Sequence, residues 1–273
     1  MAPVTAGLKA GTVRIASPLA HEEAPRIRGE GTRESEWHQC TTLWQRPSTP
    51  LPQLLREASR LVVVAPHPDD EVLACGGLMA LAAAAGVAVE VIAVTDGEAC
   101  YPGERWWTPE RLVAARRQEL AQALDALGVT SATGASVQHL GIGDGTVQRH
   151  EQDLERLLRP LLRVGDLVLA PWRHDGHPDH EAAARAALAA ASTCGARALE
   201  YPVWAWHWLR PEQTASMWQR PLLLDITTVT ADKQRAIACF ATQTGAVDQL
   251  HADPILPPHV LARFARNREV FLG

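Results

Sequence analysis

Two polar clusters in this 273-residue chain set imidazole beside carboxylate. The first reads Pro66-His67-Pro68-Asp69-Asp70-Glu71 and the second Pro171-Trp172-Arg173-His174-Asp175-Gly176-His177-Pro178-Asp179-His180-Glu181. His67, Asp70 and His180 together offer two imidazoles and one carboxylate. Three N/O ligands with an open fourth position describe a catalytic zinc site. Zinc held there lowers the pKa of water towards ~7 and polarises a carbonyl. A second carboxylate must take the proton from that water, and Asp69 sits beside Asp70. A tetrahedral oxyanion needs a cationic or hydrogen-bonding partner. His177 can serve, with Asp179 holding its ring.

Parts of this pattern suit other work. An isolated Asp70 could simply cap a helix. Adjacent carboxylates after a buried strand also suit magnesium, and with it phosphoryl transfer or phosphate binding. That reading calls for a phosphate-cradling loop, and the chain has no GxxxxGK[ST]. It also leaves His67, His177 and His180 without work, and imidazole-rich sites favour zinc or a related transition metal.

The clusters need elements to position them. Residues 61–65 are a β-branched run that reads as a buried parallel strand. A helix is expected over 71–85, a strand over 87–95, a long amphipathic helix over 109–127 and a short strand over 137–140. After the Gly-rich stretch 141–145 come a helix over 152–162, a strand over 166–170 and an Ala-rich helix over 181–191. Further strands are expected over 199–208 and 222–226, and helices over 231–242 and 260–268. Alternating strands and helices without hairpin-length links predict an α/β sandwich with a mostly parallel sheet. Ligands in such sheets bind beyond the carboxyl ends of the strands, where both polar clusters fall.

Residues 1–55 carry Pro, Gly, Ser, Thr and mixed charge with no period, and read as an irregular N-terminal extension. Its Trp37, His38 and Trp44 suggest docking, with a second subunit as one candidate surface and a homo-oligomer as the consequence. Residues 56–273 then form one domain, since no linker interrupts them. The net charge of -5 and the lack of a basic stripe argue against nucleic acid. The longest apolar runs are too short to span a bilayer. No secretory signal is evident. Cys40, Cys75, Cys100, Cys194 and Cys239 are scattered, as expected of reduced thiols in a cytoplasmic protein.

The two clusters together closely resemble the PIG-L/LmbE-like N-acetylglucosaminyl deacetylases. The resemblance extends through Thr95-Asp96-Gly97-Glu98, Arg116-Arg117-Gln118-Glu119 and Lys233-Gln234-Arg235-Ala236. It implies a Rossmann-like fold, zinc (or iron) on His67, Asp70 and His180, Asp69 as general base and His177 as acid or oxyanion donor oriented by Asp179. The implied substrate is a small N-acylated amino-sugar conjugate. A non-catalytic sugar-binding relative would lack the base or a ligand, and both are present. In the family an Arg of the long helix faces the pocket, which makes Arg116 a candidate substrate contact. Asp96 and Glu98, at the end of the second strand, are further candidates. So is Trp172, whose flat ring suits a sugar. Some relatives carry Tyr where this chain has Asp175. The row Trp204, Trp206 and Trp208 is expected on one strand face, packed in the core.

Overall fold

A computed structural model describes residues 27, 29–218 and 220–273. Residues 1–26 and 28 of the extension lie outside the described residues. The rest of it is not irregular. It carries three short helices, α1 (Glu34–His38), α2 (Thr41–Trp44) and α3 (Leu51–Leu54). Trp37, Leu43 and Leu54 are buried in the main hydrophobic cluster, so this stretch docks on its own chain.

Strands and helices then alternate. They run β1 (Arg60–Ala65), α4 (Asp70–Ala84), β2 (Ala88–Ala93), α5 (Pro109–Ala126), β3 (Ser136–His139), α6 (Glu151–Leu158), β4 (Asp166–Pro171), α7 (Pro178–Cys194) and β5 (Arg197–Tyr201). All five strands lie in one parallel sheet, in the order β3-β2-β1-β4-β5. β1 shows why no polar residue alternates along its core. Leu61 and Val63 belong to one apolar cluster and Val62 and Val64 to another, because helices cover both faces. The helices obey local rules. Thr108 caps α5 by accepting from the Arg111 N–H, and Pro109 follows as its first residue. In α7 the alanines at 182, 183, 186, 187, 190 and 191 bury no more than a methyl each, which lets the helix lie close on the sheet.

Past β5 the chain forms α8 (Ala205–Trp208), α9 (Thr214–Met217), β6 (Leu222–Asp225), α10 (Thr230–Ala238), α11 (Ala241–Thr244), α12 (Pro258–Leu261) and β7 (Arg268–Phe271). β6 and β7 pair antiparallel, and Leu272 bridges to Glu200 of β5. Glu269 of β7 accepts from the Gly77 and Leu78 N–H groups of α4 at 2.7 and 2.8 Å and from Lys233 Nζ of α10 at 2.8 Å. This buried pair explains a structural role for the Lys233 stretch.

Two expectations fail here. The strand predicted over 199–208 stops at Tyr201. Pro202 has no N–H, and the N–H groups of Val203, Trp204 and Ala205 all bind the Asp175 carboxylate, so the chain turns into α8. Trp204, Trp206 and Trp208 therefore do not share a strand face. The helix predicted over 260–268 shrinks to α12 and one 3₁₀ turn, because Arg268 onward extends as β7.

β1 sits between β2 and β4, so the connections leave it in opposite directions. That is the switch point of an open α/β sheet, where a crevice opens at the carboxyl ends. Val63 pairs with Leu169, which brings the ends of β1 and β4 side by side.

Candidate metal centre

The first cluster turns from β1 into α4, and the second turns from β4 into α7. Asp70 is the first residue of α4. Pro178 opens α7 and sets His180 in its first turn. Three ligand atoms from these turns form a nearly equilateral triangle. His180 Nε2 lies 3.3 Å from His67 Nδ1 and 3.3 Å from Asp70 Oδ2, and His67 Nδ1 lies 3.4 Å from Asp70 Oδ2. Asp70 and His180 are buried, and the His67 side chain is 13% exposed.

The other nitrogen of each imidazole meets a carboxylate. His180 Nδ1 is 2.9 Å from Asp175 Oδ2. Asp175 also accepts three peptide N–H groups at 2.8–2.9 Å, so it is an acceptor and the ring proton sits on Nδ1. His67 Nε2 is 3.1 Å from Asp144 Oδ1, and Asp144 Oδ2 accepts from the Ala99 N–H. Both histidines thus turn a lone pair towards the Asp70 oxygen. Three acceptors facing one another repel unless positive charge offsets them, carried by a ring proton or by a cation between them. Ligands of tetrahedral zinc, at ~2.0–2.1 Å from the metal, stand about 3.3–3.4 Å apart. The triangle fits such an ion, and carboxylate-backed imidazoles are the usual support of one. Two imidazoles with one carboxylate suit zinc or iron better than magnesium.

The electrostatics agree. Burial would lower His180, but the Asp70 and Asp175 carboxylates outweigh it and hold the imidazole up at about 9. Burial likewise opposes charge on His67, and Asp144, Asp179 and Asp70 raise it well above the usual range. Burial would raise Asp70, but His180 and His67 hold it far below the ordinary carboxylate range. The cavity is built to hold positive charge.

Asp69 stands at the N-cap of α4, beside the triangle. Its Oδ2 accepts from Arg116 Nη2 at 3.0 Å. Burial drives the carboxyl up to about 7, against the pull of that guanidinium. Arg116 is itself buried and also donates to the Pro68 and Gly97 carbonyls at 2.8 and 3.1 Å. A Cβ at Gly97 would meet Arg116 Nη1 at 1.9 Å, and Gly97 has φ +67. The Thr-Asp-Gly-Glu stretch is therefore shaped by Arg116. His177 Nδ1 accepts the Asp179 N–H at 3.2 Å, which leaves its ring proton on Nε2. Burial and the neighbouring His180 and His67 lower His177 to about 3, so the ring is neutral.

Not every candidate meets the triangle as expected. The Asp179 carboxylate does not grip the His177 ring; it accepts the Gly145 and Val147 N–H groups at 2.7 and 3.1 Å and lies 3.5 Å from His67 Nε2. Arg116 reaches Asp69 rather than an open pocket. Asp96 is tied to Arg117 at 2.5 and 2.8 Å and to His139 at 3.0 Å. Glu98 Oε1 accepts the Asp144 N–H at 3.0 Å, and its Oε2 is buried without a partner among the described residues. Trp172 is buried, stacked on Trp208 at 6.1 Å and edge-on to Trp218. Sequence reasoning missed Asp144 and Asp175 as supports. Asp144, after glycines, reads equally as only a turn residue, and Asp175 sits in the second cluster with no role assigned to it. The available signal was an imidazole with a carboxylate five residues earlier.

The chain is similar to known proteins over the segment that carries both turns. The family profile described as PIG-L, GlcNAc-PI de-N-acetylase, matches residues 62–191, which contain both turns. The chain is 32% identical over 197 residues to a 4-oxalmesaconate hydratase of Pseudomonas putida, covering 67% of this chain and 73% of that protein. It is 34% identical over 168 residues to the 1D-myo-inositol 2-acetamido-2-deoxy-alpha-D-glucopyranoside deacetylase of Streptomyces scabiei. That match covers 54% of this chain and spans about half, 51%, of the relative. The solved structure of the conserved protein TT1542 from Thermus thermophilus superposes with a TM-score of 0.56 at 28% identity, covering 78% of this chain and 93% of TT1542. With its two motifs on one switch point, and with 73% of the hydratase matched at 32% identity, the chain belongs to the PIG-L family.

Proposed function

We propose that this chain is a zinc-dependent amide hydrolase that removes an acetyl or other acyl group from the nitrogen of an N-acylglucosamine-type conjugate. The observation that carries the reading is the triangle of His67, Asp70 and His180, with Asp69 and His177 beside it. The deacetylase named among the relatives, at 34% identity, supports the substrate class. Iron(II) is the alternative ion for the same donors.

His67, Asp70 and His180 would hold the ion. When bound, it supplies Lewis acidity, which makes water a nucleophile near neutral pH and polarises an acyl carbonyl. Asp69 takes the proton of the attacking water. Arg116 fixes that carboxylate by holding Oδ2. His177 presents Nε2–H to the developing oxyanion and can pass a proton to the leaving amine. Asp179 orients the His177 ring through its peptide N–H, and its carboxylate fastens the 145–147 turn that flanks His67. Five unpaired cysteines suit a cytoplasmic setting. Among the described residues no helix is long and apolar enough to cross a membrane.

A second reading rests on the 32% identity to a hydratase. Water activation and a carboxylate base serve addition to a double bond as well as amide cleavage. One preparation separates the two. Metal content is measured first, followed by acetate release from a panel of N-acetylglucosamine conjugates and by consumption of 4-oxalmesaconate. About one zinc per chain with chelator-sensitive acetate release is expected. Metal with hydration and no acetate release would favour the second reading. A reconstituted protein that takes up no transition metal would overturn both.

A further inference from the structure

Hydrogen bonds tie the N-terminal arm to the 203–209 turn, and the same turn to the Asp175 carboxylate behind His180. Trp37 Nε1 donates to the Trp206 carbonyl at 2.8 Å. The Thr32 N–H donates to the His207 carbonyl at 2.7 Å, and Thr32 Oγ1 donates to the Leu209 carbonyl at 2.9 Å. The Trp206 ring is gripped as well. Trp37 meets it edge-on at 4.8 Å, and the Arg266 guanidinium lies over it at 4.1 Å while pairing with Glu34 of α1. The arm therefore fixes the carbonyls of α8 and of the residue after it. The N–H groups at the start of the same turn, on Val203, Trp204 and Ala205, hold the Asp175 carboxylate. Asp175 in turn holds His180 Nδ1 at 2.9 Å, with both side chains wholly buried. The arm lies outside residues 62–191, the span of the family match.

We propose that the arm is a positioning element of the metal centre, with Thr32 and Trp37 setting His180 through the 203–209 turn and Asp175. The proposal rests on the reading of His180 as a ligand. A carboxylate that orients a ligating imidazole fixes its tautomer and its direction, and losing such a partner typically costs ~10–100-fold in metal affinity. The turn that carries Asp175's three donors packs on the arm through the Trp37, Trp44 and Trp206 rings. Loosening the arm's bonds to the turn frees those donors to move together.

The test uses the full chain and four proteins in a double-mutant cycle: wild type, Thr32→Val/Trp37→Phe, Asp175→Asn and the combination. The arm variant loses two donors; Trp37→Phe also gives up part of a buried ring, so Thr32→Val alone, which keeps its volume and loses one donor, is measured beside it. Thr32→Val alone stands in if the pair melts below the assay temperature. Zinc affinity is measured by chelator competition, and the ligand field is read from the visible spectrum of the cobalt(II) form. The arm variant and Asp175→Asn should each weaken zinc binding by about 10-fold or more and shift the cobalt bands. The combination should bind no worse than Asp175→Asn alone, because the arm acts through that residue. Wild-type affinity and spectrum in the arm variant would overturn the proposal, as would full additivity in the cycle. A His180→Ala control separates this failure from that of the underlying reading. If it binds zinc as tightly as wild type, the ligand assignment falls and the positioning role falls with it.

Discussion

The inner and outer walls of the site are built differently. The inner wall is made where β1 and β4 end, and each group there has a buried partner with a chemical reason: Asp175 for His180, Asp144 for His67, Arg116 for Asp69. The outer wall is the loop that leaves the site at Ala99, whose N–H binds Asp144, and runs on to the surface. The stretch after β2 carries Trp106, which is 46% exposed under the Arg111 guanidinium, and Trp107, which donates to the Asp248 carbonyl. Glu104 of the same stretch accepts the His251 N–H at 3.0 Å, so this loop and residues 248–251 brace one another at the surface. The contrast teaches where chemistry and selection are kept. Reactivity needs atoms fixed within fractions of an ångström, which strand ends deliver, whereas substrate choice can be carried by loops that tolerate change.

The sharpest division of labour is expected on the inner wall. His180→Ala removes one corner of the triangle and leaves Asp70 and Asp175 facing an empty volume. Metal and turnover should both be lost, as read by metal analysis and acetate release. Tight zinc at wild-type stoichiometry in this variant would mean that the inner wall is not the metal wall. Asp69→Ala touches no corner. It should keep zinc and lose about 10²–10⁴-fold in turnover, the usual worth of a positioned base. Near-normal turnover would take the base role from Asp69.

The same contrast governs what could be read from the sequence. That His67, Asp69, Asp70 and His180 come together was legible, because the first three follow β1 and Pro178 opens the helix that carries His180, at strand ends where a parallel sheet opens its crevice. Two of their supports were not, because each lies in a distant stretch of chain. Asp144 reaches His67 from the turn after β3, and Arg116 reaches Asp69 across 47 residues. The alternation of Trp204, Trp206 and Trp208 imitates a strand, and only Asp175's claim on three N–H groups turns it into α8. The three arm helices carry too few residues to show a period, and the buried Trp37 of the first finds its partner 169 positions away. Local pattern identifies elements that stabilise themselves by burying a face. It is silent on those held by long-range polar contacts.

Gly97→Ala tests how closely the inner wall is fitted without altering any charged group. The added methyl would meet Arg116 Nη1 at 1.9 Å and would sit on a backbone with φ +67. Arg116 must move, and the Asp69 carboxylate moves with it. Stability should fall by ~1–3 kcal/mol, as for other overpacked sites. Turnover should fall by up to about 10²-fold, since a misplacement near 1 Å costs that much. Zinc should stay, because Arg116 contacts no corner of the triangle. Full activity with an unchanged melting temperature would mean that Arg116 has room to spare and does not fix Asp69.

Trp106→Ala should have the smallest effect, and it asks whether the outer wall is separate. The ring is half in solvent and its contact with Arg111 is at the surface, worth ~0.5–1 kcal/mol. Melting temperature should therefore drop by only a few degrees, and zinc affinity should match wild type. If the loop selects substrate, KM for a glucosamine conjugate rises while kcat holds, the mark of binding lost equally from ground and transition states. The kinetics of two conjugates differing only in the group attached to the sugar would show whether the change depends on that group. A fall in kcat with weakened zinc would break the comparison, because it would mean that the loop after β2 holds the Asp144 turn, and through it His67, in place. Ala99, whose N–H binds Asp144, lies in that loop seven residues before Trp106, so this is the route by which the outer wall could reach the inner one.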